Sequence, residues 1–301
     1  MTDHAVPHSK RRTVLCATDL SCRSDRALDR AILLAREWDA RLVLLTVVDL
    51  ADAASVQRRY GRSLSASEIR HAAEQRLRRE VVTDDVKASF RVSEGPITQT
   101  ILKAADEEAC DVIVLGISRN EAFRRLVLGS TVDSLVRRSP VPVLVVQNRP
   151  HHRYRSIVVP SDFNTPSRRA LETAADFFPF AQLSLFHAFD IPYSGIAGVE
   201  LQKAESEKRL ELEAAHEAFV AQSSLSPVVM KKVRSVIQYG PPAPLLSEYV
   251  LDKEVDLVAL ATHGRHALLD FAIAGVAQSI LEEVRTDVLV VRQGAEASPR
   301  H

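Results

Sequence analysis

Residues 13–19 read TVLCATD, and residues 156–162 read SIVVPSD. Each stretch is a short apolar run that ends in a hydroxyl side chain and an aspartate. Apolar runs of this length are typical of strands that are buried on both faces of a parallel sheet. Because the pattern occurs once in each half of the 301-residue chain, it predicts two copies of one fold.

The sequence that follows these two stretches is similar as well. Small and apolar residues come next at helical spacing, and Ser24 and Ser167 are predicted to cap the two helices. The next apolar runs, residues 42–49 and 183–190, both end in aspartate. Strands that alternate with helices in this way predict a parallel sheet covered on both faces.

Each half is therefore predicted to be an α/β, doubly wound domain with a five-stranded parallel sheet flanked by helices. We name residues 13–146 the first repeat and residues 156–291 the second repeat. The domains are expected to span residues 1–148 and 149–301, with a short polar linker at residues 147–155.

The last strand of each repeat, residues 143–146 and 288–291, is apolar and is predicted to lie at a sheet edge. An exposed edge of this kind needs a covering partner. We expect the two edges to pair antiparallel within the chain, which would make the protein an intrachain pseudo-dimer. A further homodimer is then optional.

Composition narrows the class of protein. Lys plus Arg and Asp plus Glu each number 39, so the zero net charge gives no general footprint for nucleic acid or for an anionic membrane. No charge-free stretch approaches the roughly 20 apolar residues that span a bilayer, and residues 1–12 lack the apolar segment of a signal peptide. The three cysteines, Cys16, Cys22 and Cys110, have no C-x-x-C spacing, which fits a reducing compartment. We expect a cytoplasmic protein that binds neither nucleic acid nor membrane.

Candidate binding residues lie where the strands of a parallel sheet end, because ligands bind at that edge. In the first repeat, the residues at those strand ends are Thr18, Asp19, Val47 and Gly116. Gly129, Ser130 and Thr131 then precede a helical pattern and would offer N–H groups and hydroxyls to a phosphate. The alternative from spacing alone is that Gly129 ends a turn and Ser130 caps the next helix.

This duplicated arrangement resembles the universal stress proteins, and the resemblance covers nearly the whole chain. The family's nucleotide motif is a glycine, two residues, a second glycine, nine residues, a third glycine, and then Ser or Thr. In the first repeat Gly116, Gly129 and Ser130 match this motif, whereas Arg119 stands at the second glycine. Arg119 either pairs with a phosphate in place of a lost N–H contact or fills the pocket.

The second repeat departs further from the motif. Gly264 matches, but Ala261 and Ala274 stand at the first and third glycines, and Gly275 stands at the Ser/Thr position. The added methyl groups and the missing hydroxyl remove several phosphate contacts at once. We therefore expect this degenerate site to be the emptier of the two.

The resemblance implies a role for several of these residues. Asp19 and Asp162 would lie beside the ribose and phosphates of a bound nucleotide, or beside a metal ion. The main chain at Val47, and at Ala188 in the second repeat, would meet the adenine. The implied cofactor is ATP or ADP, with or without Mg.

Two functions from different classes remain open at this stage. One is a cytoplasmic stress-response regulator that binds ATP or ADP in its first repeat, has an unknown protein partner, and acts by binding rather than turnover. The alternative is a nucleotide-independent scaffold, because neither repeat keeps every motif position. A slow ATPase is a third reading, although no general base is paired with Asp19 in the sequence.

Overall fold

The computed structural model describes residues 11–21, 24–48, 66–80, 85–117, 129–191, 199–262 and 271–292. By their internal contacts the residues form two compact units. Unit 1 comprises Met1–Ile117 with Arg149–Arg153, and unit 2 comprises Ser118–Asn148 with Tyr154–His301. The units and the repeats are offset, since the last helix and strand of the first repeat belong to unit 2.

Unit 1 is built on a parallel sheet. Its strands are β1 (Thr13–Ala17), β2 (Arg41–Val48), β3 (Ala88–Glu94) and β4 (Val112–Gly116), and its helices are α1 (Asp25–Glu37), α2 (Ala66–Glu80) and α3 (Ile97–Glu107). The strand order is β3-β2-β1-β4, and each neighbouring pair is parallel. Residues 42–45 of β2 are almost fully buried, as a strand covered on both faces requires.

Unit 2 contains the remaining elements. Its strands are β5 (Val143–Val146), β6 (Ser156–Pro160), β7 (Gln182–Phe189), β8 (Arg234–Tyr239), β9 (Leu257–Thr262) and β10 (Asp287–Arg292). Its helices are α4 (Ser130–Arg138), α5 (Thr165–Phe177), α6 (Val199–Ala221), α7 (Pro227–Met230), α8 (Pro242–Asp252) and α9 (Phe271–Glu283). The strand order is β5-β10-β9-β6-β7-β8. All pairs are parallel except β5 with β10.

The sheets confirm the predicted fold class. In the second repeat five parallel strands follow the order β8-β7-β6-β9-β10, and the first four strands of the first repeat follow the same order in unit 1. Strand order reverses direction next to β1 and next to β6, which is the point where doubly wound sheets bind their ligands.

The predicted antiparallel pairing of the two closing strands is confirmed. Leu144 of β5 lies opposite Leu289 of β10, with Val145 opposite Val288 and Val143 opposite Val290. Leu144 and Leu289 are 0% and 1% exposed. Each strand therefore covers the edge of the other, and the whole pairing lies inside unit 2.

The predicted helix caps need a correction. Ser24 does occupy the N-cap position of α1, but its side chain makes no capping hydrogen bond there. Ser167 is the third residue of α5, and the cap is Asn164, whose side chain accepts a hydrogen bond from the Ser167 N–H at 3.0 Å. The prediction failed because the first turn of a helix tolerates proline. Pro166 therefore allows α5 to begin at Thr165, before Ser167.

Two aspartates, each directly before an inner strand, accept hydrogen bonds from the start of the first strand of their own repeat. Asp111 accepts a hydrogen bond from the Thr13 N–H at 2.7 Å. Its counterpart in the second repeat, Asp256, accepts from the Arg155 and Ser156 N–H groups at 2.7 and 3.0 Å. Each carboxylate satisfies peptide groups where the first strand of its repeat begins, which helps to fix the register of that strand.

A third aspartate, Asp287, has no counterpart in the first repeat, where Pro142 aligns with it. Its buried carboxylate accepts hydrogen bonds from the N–H groups of Gln147 and Asn148, at 2.8 and 3.0 Å, and from the Tyr154 hydroxyl at 2.6 Å. These donors lie near the two ends of the linker, so one side chain anchors both ends.

Candidate functional site

In the first repeat, Asp19 follows β1 and accepts hydrogen bonds from the loop that leads to α1. Its Oδ1 accepts hydrogen bonds from the N–H and the hydroxyl of Ser21, at 3.0 and 2.7 Å, and from the Ser24 hydroxyl. The neighbouring Thr18 is buried, and its N–H donates to the Leu45 carbonyl at 2.9 Å. The aspartate is itself exposed, so it is held in place by the loop while remaining open to solvent.

The residue after this aspartate has a left-handed backbone in both repeats. Leu20 has φ 58° and Phe163, which follows Asp162, has φ 60°. A positive φ is rare for bulky residues and is most often seen where the surrounding structure imposes it. Sequence reasoning missed this turn because neither position is a glycine or an asparagine.

The remaining unit 1 candidates lie at the same end of the sheet. Val47 is the penultimate residue of β2 and is buried, and Gly116 is the last residue of β4. Arg119 lies outside the described residues.

The predicted phosphate-binding segment lies in unit 2. Helix α4 begins at Ser130 and its N-cap residue is Gly129, where an added Cβ would meet none of the described residues within 4 Å. The first intrahelical bond runs from the Asp133 N–H to the Gly129 carbonyl at 3.1 Å. The N–H groups of Ser130 and Thr131 therefore have no partner within the helix. Ser130 is the first helical residue and Gly129 is the N-cap, so the expected cap at Ser130 is wrong by one residue, and phosphate binding by this segment stays a prediction.

The second repeat presents a cavity at the corresponding end of its sheet. It has a volume of about 210 Å³ and lies where β6, β7 and β9 end, against α8 and α9. Two predicted residues, Asp162 and Ala188, line it. Most of the remaining lining is apolar and includes Phe186, Leu246 and Ile280.

One corner of this cavity is polar. The Asp162 carboxylate accepts hydrogen bonds from the Asn164 side-chain amide at 2.6 Å and from the Ser167 hydroxyl at 3.3 Å. His187 Nδ1 lies 2.7 Å from the Ser161 carbonyl. Because a carbonyl only accepts, Nδ1 donates this hydrogen bond.

The main chain at Ala188 also faces the cavity side of β7. The Phe186 carbonyl accepts from the Ser161 N–H on the β6 side, and the Phe189 carbonyl accepts from the Gly240 N–H on the β8 side. Since peptide groups alternate in direction along a strand, those of Ala188 point to the β6 side. Strand β6 has already ended there, at Pro160.

The last motif residue of the second repeat has a different position in helix α9 than its counterpart has in α4. It begins at Phe271, so Gly275 is its fifth residue and lies inside the helix. An N–H at that position bonds to the carbonyl four residues before it, here that of Phe271. Gly275 therefore offers no free N–H group, whereas Ser130, the matching residue of the first repeat, does. Gly264 lies outside the described residues.

Leu20 and Phe163, which occupy matching positions in the two repeats, pack differently. In unit 1 the void next to Thr18 has a volume of only about 10 Å³ and is closed by Leu20, Leu28, Leu44 and Leu77, among others. In unit 2, Phe163 at the position of Leu20 stacks on the His187 ring, with centroids 4.6 Å apart, and is not part of the cavity wall.

The sequence pattern of the Universal stress protein family matches this chain twice, over residues 10–147 and 153–292. The chain belongs to the universal stress protein family. A universal stress protein of Mycobacterium tuberculosis is 28% identical over 228 residues, covering 72% of this chain and 74% of that protein. A putative universal stress protein of Staphylococcus aureus is 30% identical over 158 residues, covering 50% of this chain and 89% of its own length.

A solved structure supports the same fold. The crystal structure of a universal stress protein from Archaeoglobus fulgidus superimposes with a TM-score of 0.61 at 18% identity, covering 94% of this chain and 98% of the other. The tandem arrangement inferred from the repeated motif is thus confirmed for this universal stress protein.

The described residues offer no candidate for a metal site, a membrane-spanning helix or a reactive thiol. No group of three or more His, Cys, Asp or Glu side chains is arranged to hold a metal ion there. Within the same residues, no helix is both long and apolar enough to cross a bilayer. Burial raises the pKa of the Cys16 and Cys110 thiols to about 12, so both are unreactive at neutral pH. Cys22 lies outside the described residues.

Proposed function

We propose that this universal stress protein is a cytoplasmic regulator that binds ATP or ADP through its first repeat and acts by binding rather than turnover. The observation that carries the proposal is the open start of α4. Gly129 leaves room for an anion, and the N–H groups of Ser130 and Thr131 have no partner within their helix. Such an arrangement favours phosphate through both hydrogen bonding and the helix dipole.

The other proposed contacts come from the sequence motif. Thr18, Asp19, Val47 and Gly116 belong to unit 1, and the motif groups them with the start of α4 in unit 2. Asp19 is the proposed ligand of an Mg ion that accompanies the phosphates. A single carboxylate suits this role, because Mg²⁺ in nucleotide sites keeps several waters and takes phosphate oxygens as further ligands.

The direct test is calorimetry of ATP and ADP binding, together with analysis of nucleotide released when the purified protein is denatured. We expect one nucleotide per chain, because α9 offers no free N–H at Gly275. Gly129→Val should abolish binding by filling the space that a phosphate needs, while Gly129→Ala weakens it less. Because the Cβ of either variant meets none of the described residues within 4 Å, both should fold normally.

Asp19→Ala and Asp162→Ala form a matched pair for the same titration. The first variant should lose nucleotide affinity and the second should keep it. Undiminished affinity in both Gly129→Val and Asp19→Ala would reject the site. Absence of any nucleotide binding by the unaltered chain would favour the scaffold function, in which a protein partner is recognised without nucleotide.

A further inference from the structure

We infer that the outer edge of β8 and the second half of α6 form a docking groove for an extended segment of a protein partner that carries lysine or arginine side chains. The segment adds a strand beside β8. This inference does not rest on nucleotide binding by the first repeat. It rests on a sheet edge, a groove, a buried histidine and two carboxylates, all within unit 2.

Strand β8 is paired on one side only among the described residues. It ends the strand order of unit 2, next to β7. The Gly240 N–H donates to the Phe189 carbonyl of β7, and peptide groups alternate in direction along a strand. The peptide groups of Ser235 and Ile237 therefore point away from β7. An edge of this kind is a template for a further strand.

One side chain occupies part of this edge. Arg209 of α6 donates from Nη1 to the Ile237 carbonyl at 2.6 Å, in the place that the N–H of a neighbouring strand would take. Arg209 also pairs with Glu205 at 3.2 Å, so an arriving strand can displace it from the carbonyl without leaving the guanidinium unpaired. The outer peptide groups of Ser235 have no partner among the described residues.

A groove of about 410 Å³ lies between α6 and β8. Residues 235–238 of β8 form one wall, and Arg209, Glu213, His216 and Glu217 of α6 form the other. His216 is 7% exposed, and its Nε2 has no hydrogen-bond partner among the described residues. A buried polar atom without a partner costs free energy, and a polar group of a segment in the groove would remove this cost.

The charge of the groove favours a cationic segment. Glu213 and Glu217 are exposed and lie one helical turn apart, where like charges repel each other. Neither forms an ion pair within the part of the chain that the structure describes, although three earlier acids of α6 do, namely Glu205, Glu207 and Glu211. A lysine or arginine side chain in the groove would relieve the repulsion and gain a charge-assisted hydrogen bond.

The corresponding edge of the first repeat is protected by side chains. Strand β3 ends the strand order of unit 1, and α2 supplies two arginines to it. Arg70 pairs with Glu94, and the Arg78 guanidinium lies 5.2 Å from the centroid of the Phe90 ring. Charged side chains on an edge strand disfavour pairing with a further strand. We therefore assign the docking to the second repeat.

The test adds blocked peptides of six residues, the length of β8, to the full chain and follows binding by calorimetry. The probe alternates lysine and valine. One comparison peptide has glutamate in place of each lysine, and the other has proline in place of each valine, which keeps the charge but removes N–H groups needed for strand pairing. We expect saturable binding of the probe and at least tenfold weaker binding of both comparison peptides. Absence of probe binding, or equal binding of either comparison peptide, would overturn the inference.

Two variants locate the binding. Glu213→Gln with Glu217→Gln removes both carboxylates and should weaken the probe at least tenfold. Ser235→Pro removes an outward N–H and leaves the pairing with β7 intact, because proline is tolerated on an edge strand whose N–H faces solvent. It should weaken the probe to a similar extent.

The matched control for the charge variant is Glu248→Gln with Asp252→Asn. It removes two exposed carboxylates of α8 at the same spacing. Helix α8 packs on the opposite face of the sheet from α6, since it contacts Phe186 of β7 whereas α6 contacts Phe189. The control should change the affinity less than twofold.

Hydrogen exchange gives a readout that needs no variant. With the probe bound, exchange of the Ser235 and Ile237 amides should slow at least tenfold, because both N–H groups then bond to the added strand. Unchanged exchange at these two amides would reject the inference. Unchanged affinity in the variant of Glu213 and Glu217 would reject it as well, whether or not Ser235→Pro folds.

Discussion

The two repeats share a fold but differ in the helix that follows the fourth strand. Helix α4 starts directly after Gly129 and has nine residues, whereas α9 has 13 residues and starts four positions before Gly275. The added turn consumes the N–H groups that the first repeat leaves open. If α4 binds phosphate as proposed, moving a helix start is sufficient to remove such a site without any change in the sheet.

The repeats differ also in what fills the end of the sheet. Leu20 lines a void of about 10 Å³ beside α1 and α2 in unit 1, while Phe163 stacks on the His187 ring in unit 2. Both residues occupy the same left-handed turn. The backbone of this turn is similar in the two repeats, whereas the side chain and its packing partners differ.

The largest expected effect concerns the strands that the repeats share. Leu144→Lys with Val146→Lys places two charges in the buried pairing of β5 with β10, and burying an unpaired charge is strongly unfavourable. We expect the free energy of unfolding to fall by more than about 4 kcal/mol, measured by urea denaturation and circular dichroism.

The matched control for this variant adds the same two charges to the surface of unit 2. Val228 and Leu251 are 64% and 60% exposed, so Val228→Lys with Leu251→Lys should change the free energy of unfolding by less than about 1 kcal/mol. An unchanged midpoint in the variant of β5 would mean that this pairing does not hold unit 2 together.

The second prediction sharpens the contrast between α4 and α9. Gly129→Val should lower the affinity for ADP by at least a hundredfold, about 2.7 kcal/mol, because the new side chain occupies the phosphate position. Gly275→Ala, inside α9, should leave that affinity unchanged and raise the melting temperature slightly, since alanine favours helix. Calorimetry and thermal unfolding report the two effects. A measured stoichiometry of two nucleotides per chain would contradict the proposal that the first repeat binds nucleotide and the second does not.

The third prediction compares the caps of α1 and α5. Asn164→Ala removes a capping hydrogen bond and should cost about 1 kcal/mol of unfolding free energy. Ser24→Ala removes no capping bond and loses only its hydrogen bonds with Asp19, so it should cost less. Asn164→Ser retains a capping oxygen without placing a second carboxylate beside Asp162, and serves as the control. Equal losses for Ser24→Ala and Asn164→Ala would show that the difference in cap geometry has no energetic consequence.

The smallest effect is a pH dependence specific to unit 2. His216 of α6 is buried, and burial lowers its pKa below the ordinary value of 6.5, although Glu217 and Glu213 raise it in part. The unfolded state then binds more protons just below pH 6.5, so the free energy of unfolding falls as the pH falls through that window. The slope should not exceed about 1.4 kcal/mol per pH unit.

Replacing the histidine tests this slope. His216→Phe should flatten the profile between about pH 7 and pH 5, whereas His71→Gln, at an exposed position of α2 in unit 1, should not. The same slope in both variants would assign the pH dependence to other groups.

Much of the fold could be predicted from the sequence because it rests on periodic patterns. Continuous apolar runs such as 13–19 and 156–162 predicted parallel strands, and the apolar closing strands predicted the pairing of Leu144 with Leu289. These features depend on burial, which the order of residue types records directly. The start of α4 was predictable for the same reason, since a glycine before a helical pattern marks a boundary.

The rest depended on packing that no short pattern encodes. Nothing in the sequence shows that Leu20 and Phe163 adopt a positive φ, or that Asn164 rather than Ser167 caps α5. The cavity beside Asp162 was likewise missed, because its volume results from the relative positions of α8, α9 and three strand ends. Loss of motif glycines indicated a weaker phosphate site, but it did not indicate the space that remained.

The packing of β5 in unit 2, although it belongs to the first repeat, affects how such a protein can evolve. Helix α4 and strand β5 descend with the first repeat, yet their contacts place them in unit 2. A chain cut after residue 148 would remove the strand that covers β10 and leave both products with an exposed edge. Once this dependence exists, neither half can be discarded without damage to the other. Selection for stability then preserves both copies of the fold, while their ligand sites are free to diverge.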